Sequence, residues 1–204
     1  ELSMKIRQKY GSISLITANN VFAHIDDLNE FVKGIHHLLS KDGIFVFEVS
    51  YLADVIKNTL FDMTYHEHLS YHSIIPLISF FQKNNLELID VIKTDVHGGS
   101  IRCIVQLQGG VHIIKDSVNK TIDEELKMKI NYEKTYKEFG DKINEQKIEL
   151  ANLLRKIKNE NKTIMGFGAP AKSTTLLYHF NINSNTVECI IDDNKLKQNL
   201  FSPG

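Results

Sequence analysis

The sequence predicts an α/β protein whose parallel sheet finishes in an antiparallel pair, followed by the start of a second α/β unit. Three observations carry this prediction. The apolar run "SISLITAN", Ser12–Asn19, and the run "GIFVFEVS", Gly43–Ser50, flank a stretch with apolar residues at helical spacing, which is the order of a β-α-β unit. Two further β-rich runs, "LELIDVIKTD" and "SIRCIVQLQ", are joined by the short glycine-containing "VHGG", a connection that only antiparallel neighbours can use. Near the end, "KTIMGFGAPAKSTTLLYHF…VECIIDDN" repeats the strand, glycine turn, helix, strand order.

Each element has a local cause. Short runs dominated by Ile, Leu, Val and Phe suit strands covered on both faces of a parallel sheet. Between the first two, Leu28, Phe31, Val32, Ile35, Leu38 and Leu39 fall on one helical stripe. Asp26 or Asp27 stands where an N-cap is needed, and Gly43 lies shortly past the end. "SIIPLISFFQKNN" reads as a further helix. From about Thr121 to Lys162 the chain is highly charged. Ile122, Leu126, Tyr132, Tyr136, Phe139, Ile143, Leu150, Leu153, Leu154 and Ile157 recur there in helical register. One long amphipathic helix, or two broken near Gly140, is expected, serving as a connector without chemistry.

Composition excludes several classes. The 204 residues are 42% hydrophobic and 24% charged, with a net charge of −1. That balance provides no broad basic surface for nucleic acid. No apolar run approaches the length of a membrane span, and a cytoplasmic location is expected. Cys103 and Cys189 match no metal-binding spacing and read as reduced core residues. The chain opens at "ELSMKIRQKY" without an initiator Met and stops just after a strand, so both ends read as cuts through a longer protein.

Chemistry concentrates in two places. The first is "FDMTYHEHLSYHS", Phe61–Ser73, which crowds His66, Glu67, His68 and His72 beside Tyr65 and Tyr71. A His66, His68, His72 set would suit a divalent metal such as zinc, but nothing nearby completes the ligands. Acid–base chemistry needs less: one imidazole titrating near neutrality, an orienting carboxylate and a phenol, which His68, Glu67 and Tyr65 supply. Ordinary surface or core histidines remain the plain alternative. Location favours a site, because this segment follows a parallel strand. "ANNVFAHI", with His24, follows the neighbouring one, and ligands of open α/β sheets bind beyond the carboxyl ends of strands.

The second place is "GFGAPAKST". Gly166-x-Gly168-x-x-Ala171 follows a strand and opens a helix, with Asp192 ending the next strand. Glycines give a tight turn, the helix N-terminus faces phosphate, and the acid suits a ribose. A P-loop read through Lys172 and Ser173 stays open, although Ala171 replaces its usual glycine. A glycine turn that binds nothing stays open too.

The β-α-β stretch from Ile16 to Val49 resembles the second half of a class I S-adenosylmethionine-dependent methyltransferase domain. "TYHEHLSYHS", "HGGSIR" and "GFGAPAKST…IDDNKLKQNLFSPG", in this order, resemble the sugar C-methyltransferases acting on nucleotide-linked keto-deoxysugars. The resemblance implies a chain organised as residues 1–110, the C-terminal part of the methyltransferase domain, 111–162, a helical connector, and 163–204, the beginning of a Rossmann-like domain. It implies S-adenosylmethionine as cofactor, with zinc expected only in an N-terminal domain outside this chain. It implies a nucleotide-sugar substrate and no nucleic-acid or membrane partner. His68 is then the base that generates an enolate, with Tyr65, Glu67 and His24 positioning or assisting, and His66 and Tyr71 as weaker candidates. Asn19 and Asn20 line the cofactor. Gly166, Gly168, Lys172, Ser173 and Arg102 face the nucleotide-sugar, and Gly98 and Gly99 make a turn. A non-catalytic nucleotide-binding module and a histidine-ligated metal hydrolase are the alternatives.

Overall fold

The computed structural model describes residues 1–202; the closing Pro203 and Gly204 of the glycine-turn motif's quoted run lie outside them. By contacts the chain divides into two compact units. The first holds Glu1–Asn58 and Glu67–Thr135, the second Thr59–His66 and the chain from Tyr136 onward.

The first unit is built on a four-stranded sheet. In chain order its elements are α1 (Leu2–Tyr10), β1 (Ile13–Asn19), α2 (Leu28–Leu38), β2 (Leu39–Ser50), α3 (Leu52–Lys57), α4 (Ile74–Lys83), β3 (Leu86–Thr94), β4 (Ser100–Leu107) and α5 (Asp116–Met128). The strands lie in the order β1-β2-β4-β3. β1 and β2 are parallel, and β4 is antiparallel to both its neighbours. The expected parallel pair followed by an antiparallel pair is therefore present, but β1, expected to be covered on both faces, stands at the sheet edge and buries only Ala18. Asp27 caps α2, its carboxylate accepting from the Glu30 amide at 2.9 Å, and Val32 and Ile35 are the buried face of that helix.

Alternate residues of β2 bury Phe45, Phe47 and Val49, and β4 sets Val105, Cys103 and Ile101 beside them. Phe22, just beyond β1, stacks on Phe47 with ring centroids 4.4 Å apart, and Phe81 of α4 lies 5.7 Å from Phe47. Fully burying each such ring is worth roughly 1.5–3 kcal/mol. This aromatic cluster sits directly under the carboxyl ends of β1 and β2.

Several elements differ from expectation. β2 starts at Leu39, so Gly43 lies inside the strand and does not end the helix. A Cβ there would come within 2.8 Å of the Ile13 carbonyl, which explains the glycine as a close backbone approach. α1 and α3 had no sequence signal; α3 has six residues, too few to display a 3.6-residue period, yet buries Ala53, Val55 and Ile56. The charged connector is two helices, α5 and α6 (Glu133–Asn159), and the break is at Lys129, in the left-handed conformation, while α6 runs through Gly140. Cys103 is buried as expected, but Cys189, just before the two-residue strand Ile190–Ile191, is exposed.

The second unit contains α6, β5 (Gly166–Phe167), α7 (Ala171–Phe180) and β6 (Ile190–Ile191). β5 and β6 are parallel but only two residues long each. Its core is Ile143, Phe180 and Ile182, with Phe61, Phe139, Leu150, Leu154, Leu176, Leu177 and Val187 packed around them. Among the described residues no helix is long and apolar enough to cross a membrane.

Candidate active site

β1 ends at Asn19, and the backbone turns at Asn20, whose φ of 53° is left-handed and whose amide donates to the Glu48 carbonyl at 2.9 Å. A 3-10 turn, Phe22–His24, follows. Phe22 is fully buried in the aromatic cluster, so the next polar side chain, His24, is held at the rim with its ring exposed. The loop after β2 and α3 returns to the same rim. Tyr51 and His72 form an isolated parallel bridge, the Leu52 amide donates to the His72 carbonyl at 2.9 Å, and the Leu69 amide donates to the Ala23 carbonyl at 2.9 Å.

That last bond brings residue 68 beside residue 24. The rings of His24 and His68 stand edge-to-face, with centroids 5.1 Å apart. His68 is half-buried, and Tyr71 approaches it edge-on at 6.1 Å. Two imidazoles and a phenol thus gather past the ends of two parallel strands, where open α/β sheets bind ligands. Between them they can accept a proton, donate one, and orient a polar substrate group.

The other residues of the run are placed differently. Glu67 belongs with His68 to the first unit and is exposed. Tyr65 and His66 belong to the second unit, where their rings meet edge-to-face at 5.9 Å. His72 is a core residue: it is buried against Phe22 at 5.0 Å, and its Nε2 lies 2.9 Å from the Ser70 hydroxyl. Burial drives its pKa down to about 4. Among the described residues no group of three or more His, Cys, Asp and Glu is placed to hold a metal ion. A hydrolase built on His66, His68 and His72 therefore lacks its ligand geometry.

Around the rim, Asn19 is exposed at the end of β1. Its strand partner Glu48 is nearly buried and is bound by Arg102 of β4, whose Nη2 is 2.8 Å and Nε 3.2 Å from one carboxylate oxygen. Arg102 is thus engaged within the sheet. Gly98 and Gly99 make the β3–β4 turn with φ of 85° and 138°. A Cβ on Gly99 would lie 2.4 Å from that of Asp54. A cavity of about 660 Å³ lined by Arg7, Ser12, His36, His37 and Lys41 opens at the other end of the parallel strands, away from the histidine pair.

In the second unit Gly166 and Gly168 form the turn before α7, Gly168 with φ of 86°. Asp192, at the end of β6, is turned into this loop. Its carboxylate accepts from the Ala169 amide at 2.8 Å and the Asn194 amide at 2.8 Å, and Lys197 lies 3.3 Å away. These backbone donors, then Lys197, hold its carboxyl below the usual range. Ser173 donates to the Pro170 carbonyl at 2.7 Å, and Lys172 binds Asp62 at 2.5 Å.

One buried acid escaped sequence reasoning. Glu125 of α5 is fully buried and accepts from the Tyr51 hydroxyl at 3.0 Å and from the Ile74 and Ile75 amides at 2.5 and 3.0 Å. Burial, then the Glu125 carboxylate, pushes the Tyr51 phenol up, so it stays a donor. The spacing of Val118, Thr121 and Glu125 on one face was the available signal.

Comparison with known proteins supplies the remaining findings. Residues 95–204 match the family described as C-methyltransferase C-terminal domain, and residues 2–91 match a methyltransferase domain family. C-methyltransferase NovU of Streptomyces niveus is 34% identical over 204 residues, covering 100% of this chain and 49% of that protein. The chain therefore spans about half the length of that curated relative. Among solved structures, PKMT2 from Rickettsia typhi is 11% identical over 55% of this chain and 39% of its own, with a TM-score of 0.41. Magnesium protoporphyrin IX methyltransferase from Synechocystis PCC 6803, with bound SAH, is 9% identical over 48% of this chain and 46% of its own, with a TM-score of 0.37.

Proposed function

Because this chain belongs to the C-methyltransferase family, we propose that it serves to methylate the carbon beside the ketone of a nucleotide-linked deoxysugar, with S-adenosylmethionine as methyl donor. The observation that carries the reading is the 5.1 Å approach of the His24 and His68 rings beyond the strand ends.

In this reading His68 accepts the proton from the carbon next to the ketone. Imidazole does this near neutral pH with little adjustment. As that carbon loses its proton, negative charge grows on the ketone oxygen, and a donor aimed at it lowers the barrier. His24 is at the right place for that donor. Glu67, next to His68 in the chain, orients it or the sugar, and Tyr65 is offered for the sugar.

Asn19, exposed at the end of β1, and Asn20, whose backbone is already pinned to Glu48, fit a role in lining the cofactor. The cofactor supplies an electrophilic methyl group. Holding the enolate carbon in line with that group is the chain's task, and orientation of this kind accounts for much of such barriers. Gly166, Gly168, Lys172 and Ser173 of the second unit are offered for the nucleotide, and Arg102 of the first, beyond its bond to Glu48, for a phosphate. The protein acts in the cytoplasm.

The test is transfer of labelled methyl from S-adenosylmethionine to a panel of nucleotide-linked keto-deoxysugars by the full-length protein. His68→Ala is expected to lower turnover by at least about 100-fold while substrate affinity stays within a few-fold. Unchanged turnover would remove His68 from the mechanism.

A further inference from the structure

At the end of the sheet opposite the histidine pair, the first unit carries a second concave site. The cavity of about 660 Å³ lies between the end of α2, the starts of β1 and β2, and the end of β4. The length of β1 alone puts roughly 20 Å between it and the His24 turn. Its charged lining is Arg7, His36, His37 and Lys41, and no carboxylate is among the lining residues. In a chain whose net charge is −1, that is a local imbalance of charge. Ser12 and Ser40 add hydroxyls, and Leu39 and Leu107 add an apolar wall. The volume is that of a small-ligand pocket.

Arg7 is held in place, because its Nη1 donates to the His37 carbonyl at the end of α2. That uses one of the five guanidinium N–H groups, and among the described residues no acceptor takes the others. Lys41 has no hydrogen-bond or ion-pair partner among the described residues. Asp42 follows it in the chain, but that carboxylate accepts from the Ser40 hydroxyl at 2.9 Å. Basic groups in a last helical turn ordinarily answer the negative end of the helix. This accounts for the two histidines and for one N–H of Arg7, but for neither the rest of the guanidinium nor Lys41. A guanidinium fork matches the paired oxygens of a phosphate, and an ammonium beside it answers a second charge. A single carboxylate would leave one of the two cations unanswered. We propose that this cavity binds a small anion containing a phosphoanhydride, a diphosphate either free or carried by a nucleoside, at a site separate from the methyl-transfer chemistry.

The test is calorimetric titration of the full-length protein with inorganic pyrophosphate and, separately, with uridine diphosphate, both without divalent cations. Arg7→Gln and Lys41→Gln should each weaken binding by about three- to tenfold. Lys120→Gln, an equal change of net charge outside the cavity lining, should leave it unchanged. Added salt should weaken binding, as expected for charges near solvent. Should Arg7→Gln disturb the end of α2, Lys41→Gln still decides, because Lys41 is exposed and holds nothing else. The ring resonances of His36 and His37, assigned by their loss in His36→Gln and His37→Gln, should shift during the titration, while those of His24 and His68 stay in place. Tighter binding of uridine diphosphate would identify a nucleotide as the occupant, and equal binding the diphosphate alone. Unchanged affinity in Lys41→Gln, no binding of either anion, or shifts confined to His24 and His68 would overturn the proposal. None of these measurements involves methyl transfer, so failure here is distinct from a failure of His68→Ala to stop turnover.

Discussion

His72 lies four residues after His68 in the same short run, yet the two rings meet opposite surroundings. His68 stands half-buried beside His24, whereas His72 is packed against Phe22 with Ser70 as its hydrogen-bond partner. The pKa of His72 falls to about 4 because burial penalises its charged form. Unfolded, the same ring titrates near 6.5. Between those values the unfolded state binds more protons, so stability is greatest above pH 6.5 and falls as the pH drops towards 4. From pH 7 to pH 5 this ring alone should remove about 2 kcal/mol. Urea midpoints at the two pH values, compared with those of His72→Gln, isolate the contribution. An equal pH dependence in the variant would show that His72 is not its source. Spacing gives no hint of the difference between the two histidines: only the returning loop, and the buried ring of Phe22, decide which becomes core and which meets the rim.

At the scale of elements, Glu125 joins three pieces that the sequence separates widely. Its carboxylate binds the end of β2 through Tyr51 and the first amides of α4 through Ile74 and Ile75, framing the loop that bears His68. An anion also suits the positive end of that helix. Glu125→Ala leaves buried donors without partners and should cost about 3 kcal/mol or more, while Glu125→Gln, which retains one acceptor oxygen, should cost less. Chemical denaturation of the two variants checks the order; equal and small losses would mean that water replaces the carboxylate. Gly99→Ala is a second test of the frame, since both its φ of 138° and the contact with Asp54 oppose a methyl group. How legible these elements were follows from their size and surroundings. β1, α2, β3 and β4 announce themselves through continuous apolar runs, a capping Asp27 and a glycine turn. α5 was legible as a helix but not in its orientation: Leu126 on the expected apolar stripe is exposed, while Glu125 beside it is buried. Hydrophobicity could not indicate a face whose central contact is a carboxylate meeting a helix end. The His24–His68 approach was legible only through the strand ends that carry both, and the link of Asp62 to Lys172, 110 residues apart, left no local pattern.

On the scale of the whole molecule, the two units have unequal means of staying folded. The first closes a four-stranded sheet over Phe22, Phe45, Phe47 and Phe81, each fully buried, and adds the Glu125 network. The second rests on Ile143, Phe180 and Ile182, with two strands of two residues and with Phe167 and Tyr178 largely exposed. Long-range backbone bonding is correspondingly sparse there, and most of its hydrogen bonds are local to α6 and α7. Local opening follows such differences in buried apolar contact. The second unit should therefore open at a free energy lower by at least about 2 kcal/mol than the sheet of the first. Thermolysin added across a urea series measures this, because it cuts only chain that has opened. First cleavage is expected within residues 136–202, with the peptides of β2 and β4 still intact. Simultaneous loss of both would mean that the units unfold as one cooperative body. Since Thr59–His66 packs with the weaker unit, its opening would also release the chain leading into His68.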